Sequence, residues 1–254
     1  MDKLVIEGGV KLKGEVIISG AKNAVLPILA ATLLTDEQCV IKGVPNLRDT
    51  NSMLKILRSL GKIAEFDKGR VSVSAGKASN YIAEYKLVST MRASFCVLGP
   101  LLGKLKKAKV SLPGGCVIGV RPVDLHLKGI KALGADISID SGYVIAKASK
   151  LIGTYIYLGG VYGSSVLATD NVMMAAVLAK GKTIIESAAC EPEVSDLAEF
   201  LIKMGAKIKG HGTPVIEIEG VRHLHGATHS VISDRIEAGD FNPGLLGYWR
   251  RYIN

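Results

Sequence analysis

The fold is decided by a nine-residue stretch, Met53-Leu54-Lys55-Ile56-Leu57-Arg58-Ser59-Leu60-Gly61, which has two counterparts further along the chain. These are Leu127-Lys128-Gly129-Ile130-Lys131-Ala132-Leu133-Gly134 and Leu197-Ala198-Glu199-Phe200-Leu201-Ile202-Lys203-Met204-Gly205. In each stretch apolar residues recur at helical spacing, and the closing glycine favours the left-handed conformation that ends a helix. The glycines are 73 and 71 residues apart, which indicates a repeating unit of about 72 residues.

The same order of signals surrounds each of these helices. A helix start is predicted at Asp49, Pro122 and Pro192. An Ala-rich helix and a short strand come before it, at 23–34 and 40–44, 92–102 and 109–112, and 171–179 and 183–186. A two-strand pattern with a polar turn follows the glycine, at 63–66 and 70–75, 137–139 and 144–148, and 208 and 215–218. The sequence therefore predicts an α/β fold with internal pseudo-threefold repetition, in which the Ala-rich helices form the core.

Both ends of the sequence differ from the repeat. Residues 4–7 and 15–19 alternate between apolar and polar positions, and we predict two strands there. The composition changes abruptly after residue 241, where residues 241–254 hold four of the chain's aromatic residues, including its single Trp.

Composition limits the class of protein. Hydrophobic residues make up 48% and charged residues 22% of the 254 residues, which is typical of a globular protein. The longest apolar stretch, 24–34, is far shorter than the roughly 20 residues of a membrane-spanning helix. The first residues lack the pattern of an export signal, so we expect a cytoplasmic protein. Four cysteines without a CxxC pair are expected to be reduced thiols: Cys39, Cys96, Cys116 and Cys190.

A lysine and an asparagine, Lys22 and Asn23, come at the junction of a predicted strand and a helix. Free backbone N–H groups at a helix start favour an anion, although a solvated lysine beside a helix cap gives the same pattern. Arg92 opens the second Ala-rich helix in the same way. A cation at a helix start is unfavourable, so a bound anion would explain Arg92, and an exposed surface arginine is the ordinary alternative.

Cys116 lies in a Gly-rich segment, five residues before Arg121. A nearby cation lowers the pKa of a thiol and makes it usable as a nucleophile or an acid. The alternative is a small buried apolar residue, which we expect for the other three cysteines.

Two further kinds of site have weaker support. His223, His225 and His229 suggest a metal, but the sequence places no additional ligand beside them, and a polar loop is the commoner case. The net charge of +9 favours an anionic partner, which leaves nucleic acid, anionic lipid and phosphorylated metabolites open. The basic residues are spread out, with 104–109 the one run, and no aromatic residues interleave them, so a nucleic-acid site is weakly supported.

Several motifs carry a resemblance to a known family. They are Gly20-Ala21-Lys22-Asn23-Ala24, Thr90-Met91-Arg92-Ala93-Ser94, Pro113-Gly114-Gly115-Cys116, Arg121-Pro122-Val123-Asp124-Leu125-His126, Glu191-Pro192-Glu193-Val194 and Asp234-Arg235-Ile236-Glu237-Ala238-Gly239. With them the sequence resembles the UDP-N-acetylglucosamine enolpyruvyl transferases, or 1-carboxyvinyltransferases, over residues 1 to about 241. That family moves the enolpyruvyl group of phosphoenolpyruvate to the 3′-hydroxyl of UDP-N-acetylglucosamine and releases phosphate. It performs the first committed step of peptidoglycan synthesis, in the cytoplasm.

The resemblance implies roles for several of the matched residues, and it implies no cofactor, metal, nucleic acid or membrane. Cys116 would protonate the methylene carbon of phosphoenolpyruvate, and would be the target of fosfomycin. Lys22, Arg92 and Arg121 would gather the phosphate and carboxylate charges, and Asn23 would help to place the substrates. The nucleotide sugar would be lined by Arg121, Pro122, Val123, Asp124 and Leu125. Ser165 and Val166 match part of a further nucleotide-contacting segment, in which Leu167 replaces the usual glycine.

The family fold has two domains of three repeats each, of an "inside-out" α/β type. By the resemblance, residues 22–229 form one domain, 1–21 are strands of a second domain that this sequence lacks, 230–241 begin that domain, and 242–254 are a non-family tail. The missing domain would carry the aspartate that accepts the proton of the sugar hydroxyl. The alternative to an active transferase is therefore a truncated, catalytically impaired remnant that at most binds the nucleotide sugar. An anion-binding module for nucleic acid is a third hypothesis, motivated by the charge alone.

Overall fold

The computed structural model describes Lys3, Val5 and residues 14–77, 79–113 and 123–241. The first repeat consists of α1 (Lys22–Ala31) with a 3-10 turn (Thr32–Leu34), β1 (Cys39–Lys42), α2 (Arg48–Ser59), β2 (Lys62–Asp67), β3 (Arg70–Ala75) and β4 (Ile82–Ala83). The second consists of α3 (Tyr85–Val88), a 3-10 helix (Arg92–Val97), α4 (Leu98–Leu105), β5 (Lys107–Ser111), α5 (Asp124–Ala132), β6 (Asp136–Asp140), β7 (Tyr143–Lys147) and β8 (Tyr155–Tyr157). The third consists of α6 (Val166–Ala176), β9 (Lys182–Glu186), α7 (Pro192–Lys203), β10 (Lys207–Lys209), β11 (Val215–Glu219) and β12 (Thr228–Ser230).

The predicted helix ends are confirmed. Gly61, Gly134 and Gly205 follow α2, α5 and α7 with φ angles of +95°, +93° and +99°. These angles are the left-handed values that a glycine adopts without steric cost. Pro192 takes the first turn of α7, where its missing N–H leaves no helical hydrogen bond unmade.

The three repeats share one sheet topology. The described strands form four-stranded sheets in the orders β12-β1-β3-β2, β4-β5-β7-β6 and β8-β9-β11-β10. In each sheet the repeat supplies three antiparallel strands, and the preceding repeat supplies a short parallel strand at the edge. The third repeat closes the cycle, because its β12 pairs with β1 of the first, with Val40 opposite Thr228. The sequence patterns did not predict these edge strands.

The Ala-rich helices form the core, as predicted. Eight residues of α1 and nine of α6 are buried. Helix α4 packs against α6 at Gly99, where a Cβ atom would lie 2.1 Å from the carbonyl oxygen of Asn171. The second Ala-rich segment is divided into a 3-10 helix and α4, because Pro100 has no N–H to donate to the carbonyl of Cys96. This arrangement, with helices inside and sheets outside, matches the fold class expected from the resemblance.

Residues 15–19, which the sequence pattern predicted as a strand, form no strand in the described structure. Val16 and Ile17 are exposed. Among the described residues, the first β-bridge comes after this segment, as the isolated pair Gly20 and Ser233. A strand requires a partner along its length, so alternation alone was insufficient here. Leu4, Ile6 and Glu7 lie outside the described residues. Among those described, no helix is both long and apolar enough to span a membrane.

Candidate functional site

A cleft of about 450 Å³ lies where the Ala-rich helices of the three repeats begin. Each repeat contributes the residues of the first turn: Lys22 and Asn23 from α1, Arg92 and Ala93 from the 3-10 helix, and Val166 and Leu167 from α6. The other lining residues are Leu26, Asp49, Met91, Glu191, Glu193 and Arg235. The pseudo-threefold fold therefore brings together residues that are far apart in the sequence.

Lys22 is held at the cleft through both its side chain and its backbone. Its Nζ atom lies 3.5 Å from Oδ2 of Asp49, in the first turn of α2. Its backbone N–H donates to Oδ2 of Asp234 over 3.2 Å, so a carboxylate from beyond the third repeat satisfies a donor at the start of α1. The ammonium group is half-buried and stays beside the cleft, as an anion-binding lysine requires.

Arg92 is half-buried at the cleft, in contrast to the exposed surface arginine that was the alternative from sequence. Burial lowers the pKa of His126 and raises the pKa of Cys96, and the positive charge of Arg92 makes a smaller contribution that lowers the pKa of both groups. In the low local dielectric of a buried region a charge acts over a longer range than in water. The same field would act on an anion in the cleft.

The remaining predicted residues fall into two groups. Val166 lines the cleft, whereas Ser165 caps α6 and accepts a hydrogen bond from the N–H of Ala168 over 3.4 Å. Val123, Asp124 and Leu125 lie at the start of α5, and Leu125 packs against Gly160, where an added Cβ would come within 3.1 Å of its Cδ1. Cys116, Arg121 and Pro122 lie outside the described residues.

Comparison with known proteins decides the family. The family model described as EPSP synthase (3-phosphoshikimate 1-carboxyvinyltransferase) matches residues 6–243. The chain belongs to the EPSP synthase family. Among curated relatives, one from Methylacidiphilum infernorum, named UDP-N-acetylglucosamine 1-carboxyvinyltransferase, is 58% identical over 241 residues. Another from Caldanaerobacter subterraneus, named UDP-N-acetylglucosamine 1-carboxyvinyltransferase 1, is 55% identical over 239 residues. The resemblance stated from the motifs is thereby confirmed.

The EPSP synthase family assignment agrees with the fold. These alignments cover 95% and 94% of this chain but 57% of each relative, so the chain spans somewhat more than half the length of the relatives it matches. The enolpyruvyl transferase NikO from Streptomyces tendae superimposes with a TM-score of 0.79 at 23% identity, over 92% of this chain and 55% of that one. An EPSP synthase from Acinetobacter baumannii gives a TM-score of 0.69 at 18% identity, over 87% of this chain and 50% of that one. At these identities the two structures support the fold alone.

Sequence reasoning gave no role to four charged residues that line the cleft of this family member: Asp49, Glu191, Glu193 and Arg235. Three of them belong to motifs that carried the resemblance, which was the available signal. Glu193 and Arg235 form a bidentate ion pair, with Nε 2.9 Å from Oε1 and Nη2 3.3 Å from Oε2. Asp49 was identified only as a helix start.

A carboxyl group is buried one helical turn below the cleft. Asp170 follows Val166 by four residues on α6, is fully buried, and its two oxygens have no hydrogen-bond partner among the described residues. Burial raises the pKa of Asp170 well above its usual range, and the nearby carboxylates of Glu191 and Glu193 raise it further. Both causes favour the neutral form of this carboxyl group.

A second buried polar group connects the second and third repeats. The Nδ2 atom of Asn171 donates to the carbonyl oxygen of Phe95 over 3.0 Å and lies 2.9 Å from Nδ1 of His126. Because an amide nitrogen only donates, Nδ1 of His126 accepts and the ring proton is on Nε2. Burial, with a smaller contribution from Arg92, lowers the pKa of His126 to about 3, so the ring is neutral.

The histidines near the end of the third repeat have separate environments. His229 is buried, with Nε2 2.9 Å from Oδ1 of Asp196 and Nδ1 3.1 Å from Nζ of Lys203. His223 and His225 are exposed. Within residues 14–77, 79–113 and 123–241, no group of at least three His, Cys, Asp or Glu side chains could hold a metal ion.

The cysteines agree with expectation in part. Cys39 and Cys96 are buried, as predicted. The prediction for Cys190 was wrong, because this residue is exposed in the segment that leads into α7. Its apolar neighbours Ala188 and Ala189 are buried, so burial of the neighbouring residues did not predict the exposure of Cys190 itself.

Proposed function

We propose that this chain transfers the enolpyruvyl group of phosphoenolpyruvate to the 3′-hydroxyl of UDP-N-acetylglucosamine and releases phosphate. The observation that carries the proposal is the convergence of Lys22, Asn23, Arg92 and Val166 in one cleft. The names of two relatives that are 58% and 55% identical support the same reaction. In a bacterial cell this would be the first committed step of peptidoglycan synthesis, in the cytoplasm.

The reaction explains why cations are needed. The sugar hydroxyl oxygen adds to C2 of phosphoenolpyruvate and gives up its proton to a base, while C3 gains a proton from the general acid. The bond from C2 to the phosphate oxygen then breaks, and C3 loses a proton to restore the double bond. Positive charge develops at C2 between a phosphate and a carboxylate, and fixed cations hold both anionic groups in the geometry that stabilises it. Lys22 and Arg92 have this role in our proposal, together with Arg121.

The remaining roles follow the resemblance. Cys116 would be the general acid at C3 and the thiol that fosfomycin alkylates, and Asn23 would orient the substrates. The nucleotide sugar would lie along Pro122, Val123, Asp124 and Leu125, with Ser165 and Val166 at its other side. The packing of Leu125 against Gly160 supports this, because it gives the start of α5 a fixed position near the third repeat.

The test is phosphate release from phosphoenolpyruvate by the purified chain, with and without UDP-N-acetylglucosamine. We expect release that depends on the sugar nucleotide, falls at least about 100-fold in Cys116→Ala, and persists in Cys190→Ala. The second variant is the matched control, because Cys190 is an exposed thiol that does not line the cleft.

A folded sample that releases no phosphate would refute turnover by this chain. Calorimetric titration with UDP-N-acetylglucosamine then separates the remaining hypotheses. Binding without turnover would favour the alternative in which the chain only binds the nucleotide sugar. Binding to DNA that survives loss of Arg121 would instead favour an anion-binding module.

A further inference from the structure

The cleft contains a third cation that comes from outside the three repeats. Arg235 belongs to a helical segment, residues 235–241, that follows β12. Its side chain is 53% exposed and lines the cleft with Lys22 and Arg92. No sequence pattern assigned a role to this residue.

The guanidinium group of Arg235 is fixed in orientation by a buried carboxylate. The side chain of Glu193 is only 3% exposed, and its two oxygens accept from Nε and Nη2 of Arg235 over 2.9 and 3.3 Å. A guanidinium group is planar and presents five N–H donors in a fixed arrangement. When the Nε and Nη2 edge faces Glu193, the Nη1 edge must point away from it.

The backbone next to Arg235 is fixed by the residue that also anchors Lys22. The N–H of Asp234 donates to the carbonyl oxygen of Ser19 over 2.8 Å. Oδ2 of Asp234 accepts from the N–H of Lys22 over 3.2 Å, and Oδ1 accepts from the N–H of Ile236 over 2.9 Å. One carboxylate therefore caps both α1 and the segment 235–241, which ties the backbone at Lys22 to the backbone next to Arg235.

Two of the carboxylates that line the cleft hold these cations in place. Asp49 pairs with Lys22, and Glu193 pairs with Arg235, so each cation has a defined position before a ligand arrives. Positioned donors bind an anion more tightly than mobile ones, because less side-chain entropy is lost on binding. An arginine that served only to fasten the segment 235–241 would not need to line the cleft.

We propose that Arg235, oriented by Glu193, is a third anion-binding side chain of the cleft and contacts a phosphate or carboxylate group of the ligand. This inference deepens the proposed function, in which phosphoenolpyruvate supplies that group. Arg235 is a binding residue in this scheme, and Glu193 is the residue that positions it.

The test is calorimetric titration of the full chain with phosphoenolpyruvate, in the presence of UDP-N-acetylglucosamine, and separately with inorganic phosphate. We expect Arg235→Gln to weaken binding of both probes by about tenfold or more, as loss of a charge-assisted hydrogen bond does. Glu193→Gln should weaken binding less, because the cation remains but its orientation is lost. Arg222→Gln, at an exposed arginine that does not line the cleft, is the matched control and should bind as the wild type does.

Urea unfolding of each variant separates binding from stability. If Arg235→Gln does not fold, the same titrations are made with Arg235→Lys. Lysine keeps the charge but cannot contact Glu193 and the ligand through two separate edges, so this variant should also bind the two probes more weakly than the wild type. If a folded Arg235 variant binds both probes as tightly as the wild type while Lys22→Gln binds them more weakly, the inference is overturned and the proposed function stands. Phosphate binding that depends on Arg235, without sugar-dependent turnover, would support the inference and count against the proposed function. A wild-type chain that binds neither probe would overturn both.

Discussion

Lowering the pH from 7.5 to 5 is expected to destabilise the protein through His126. Burial holds the pKa of His126 at about 3 in the folded state, whereas an unfolded chain has the ordinary value of about 6.5. At a pH between these two pKa values, His126 therefore binds a proton in the unfolded state but not in the folded state. The contribution of the neutral His126 ring to stability is complete above about pH 6.5 and is lost as the pH falls towards 3.

The expected loss can be worked out from these two values. At pH 5 protonation favours the unfolded chain by about 30-fold, and at pH 7.5 the effect is close to zero. His126 alone should therefore lower the free energy of unfolding by about 2 kcal/mol between pH 7.5 and pH 5. The group is almost completely buried, so solvent screening reduces this value little.

The assay is urea unfolding at both pH values for the wild type and for His126→Gln. Glutamine can accept the hydrogen bond from Asn171 but does not titrate, so the variant should lose about 2 kcal/mol less than the wild type on acidification. His223→Gln, at an exposed histidine, is the matched control and should keep the wild-type loss. If His126→Gln also shows the full wild-type loss, the buried neutral state of His126 is not the cause.

Three further substitutions test the packing, each by urea unfolding. Asp170→Asn should stabilise the protein at pH 8, with a gain that shrinks towards pH 4. Burial raises the pKa of Asp170 in the folded state, so the wild type loses stability as the pH rises through this raised pKa, whereas asparagine does not titrate. A gain that does not depend on pH would contradict this. Gly99→Ala should cost about 3 kcal/mol, since its Cβ would lie 2.1 Å from the carbonyl oxygen of Asn171. Gly239→Ala, in the helical segment 235–241 with no atom within 4 Å of the added Cβ, should instead be neutral or stabilise by up to about 1 kcal/mol. Leu57→Ala, at a fully buried position, should cost about 2–5 kcal/mol, and a cost below about 1 kcal/mol would be inconsistent with that burial.

Local signals explain which parts of the fold were predictable. The glycines at 61, 134 and 205 end their helices because of a backbone preference that each residue carries itself. The hairpins that follow are also local. In contrast, β4, β8 and β12 are strands of two or three residues whose hydrogen bonds come from the next repeat, so no pattern within them is long enough to predict a strand.

The candidate site was predictable to a similar extent. Lys22 and Arg92 drew attention because a cation at a helix start is unusual, and both line the cleft. Glu193 and Arg235 are separated by 42 residues, and their pairing depends on how the segment after β12 returns to α7. Asp170 is the one charged residue of α6, but its lack of a hydrogen-bond partner among the described residues follows from tertiary packing alone.

The pairing of β12 with β1 has a consequence for folding. A linear array of repeats has two free ends, and its terminal repeats can unfold while the rest remains intact. Here every repeat has two neighbours, so unfolding any one of them deprives one sheet of its edge strand and leaves another edge strand without a partner. The pairing of β12 with β1 joins segments from opposite ends of the described domain, which is the kind of non-local closure that slows folding. The described domain is therefore expected to gain and lose its structure as one cooperative unit, in which no repeat can be removed without opening the ring.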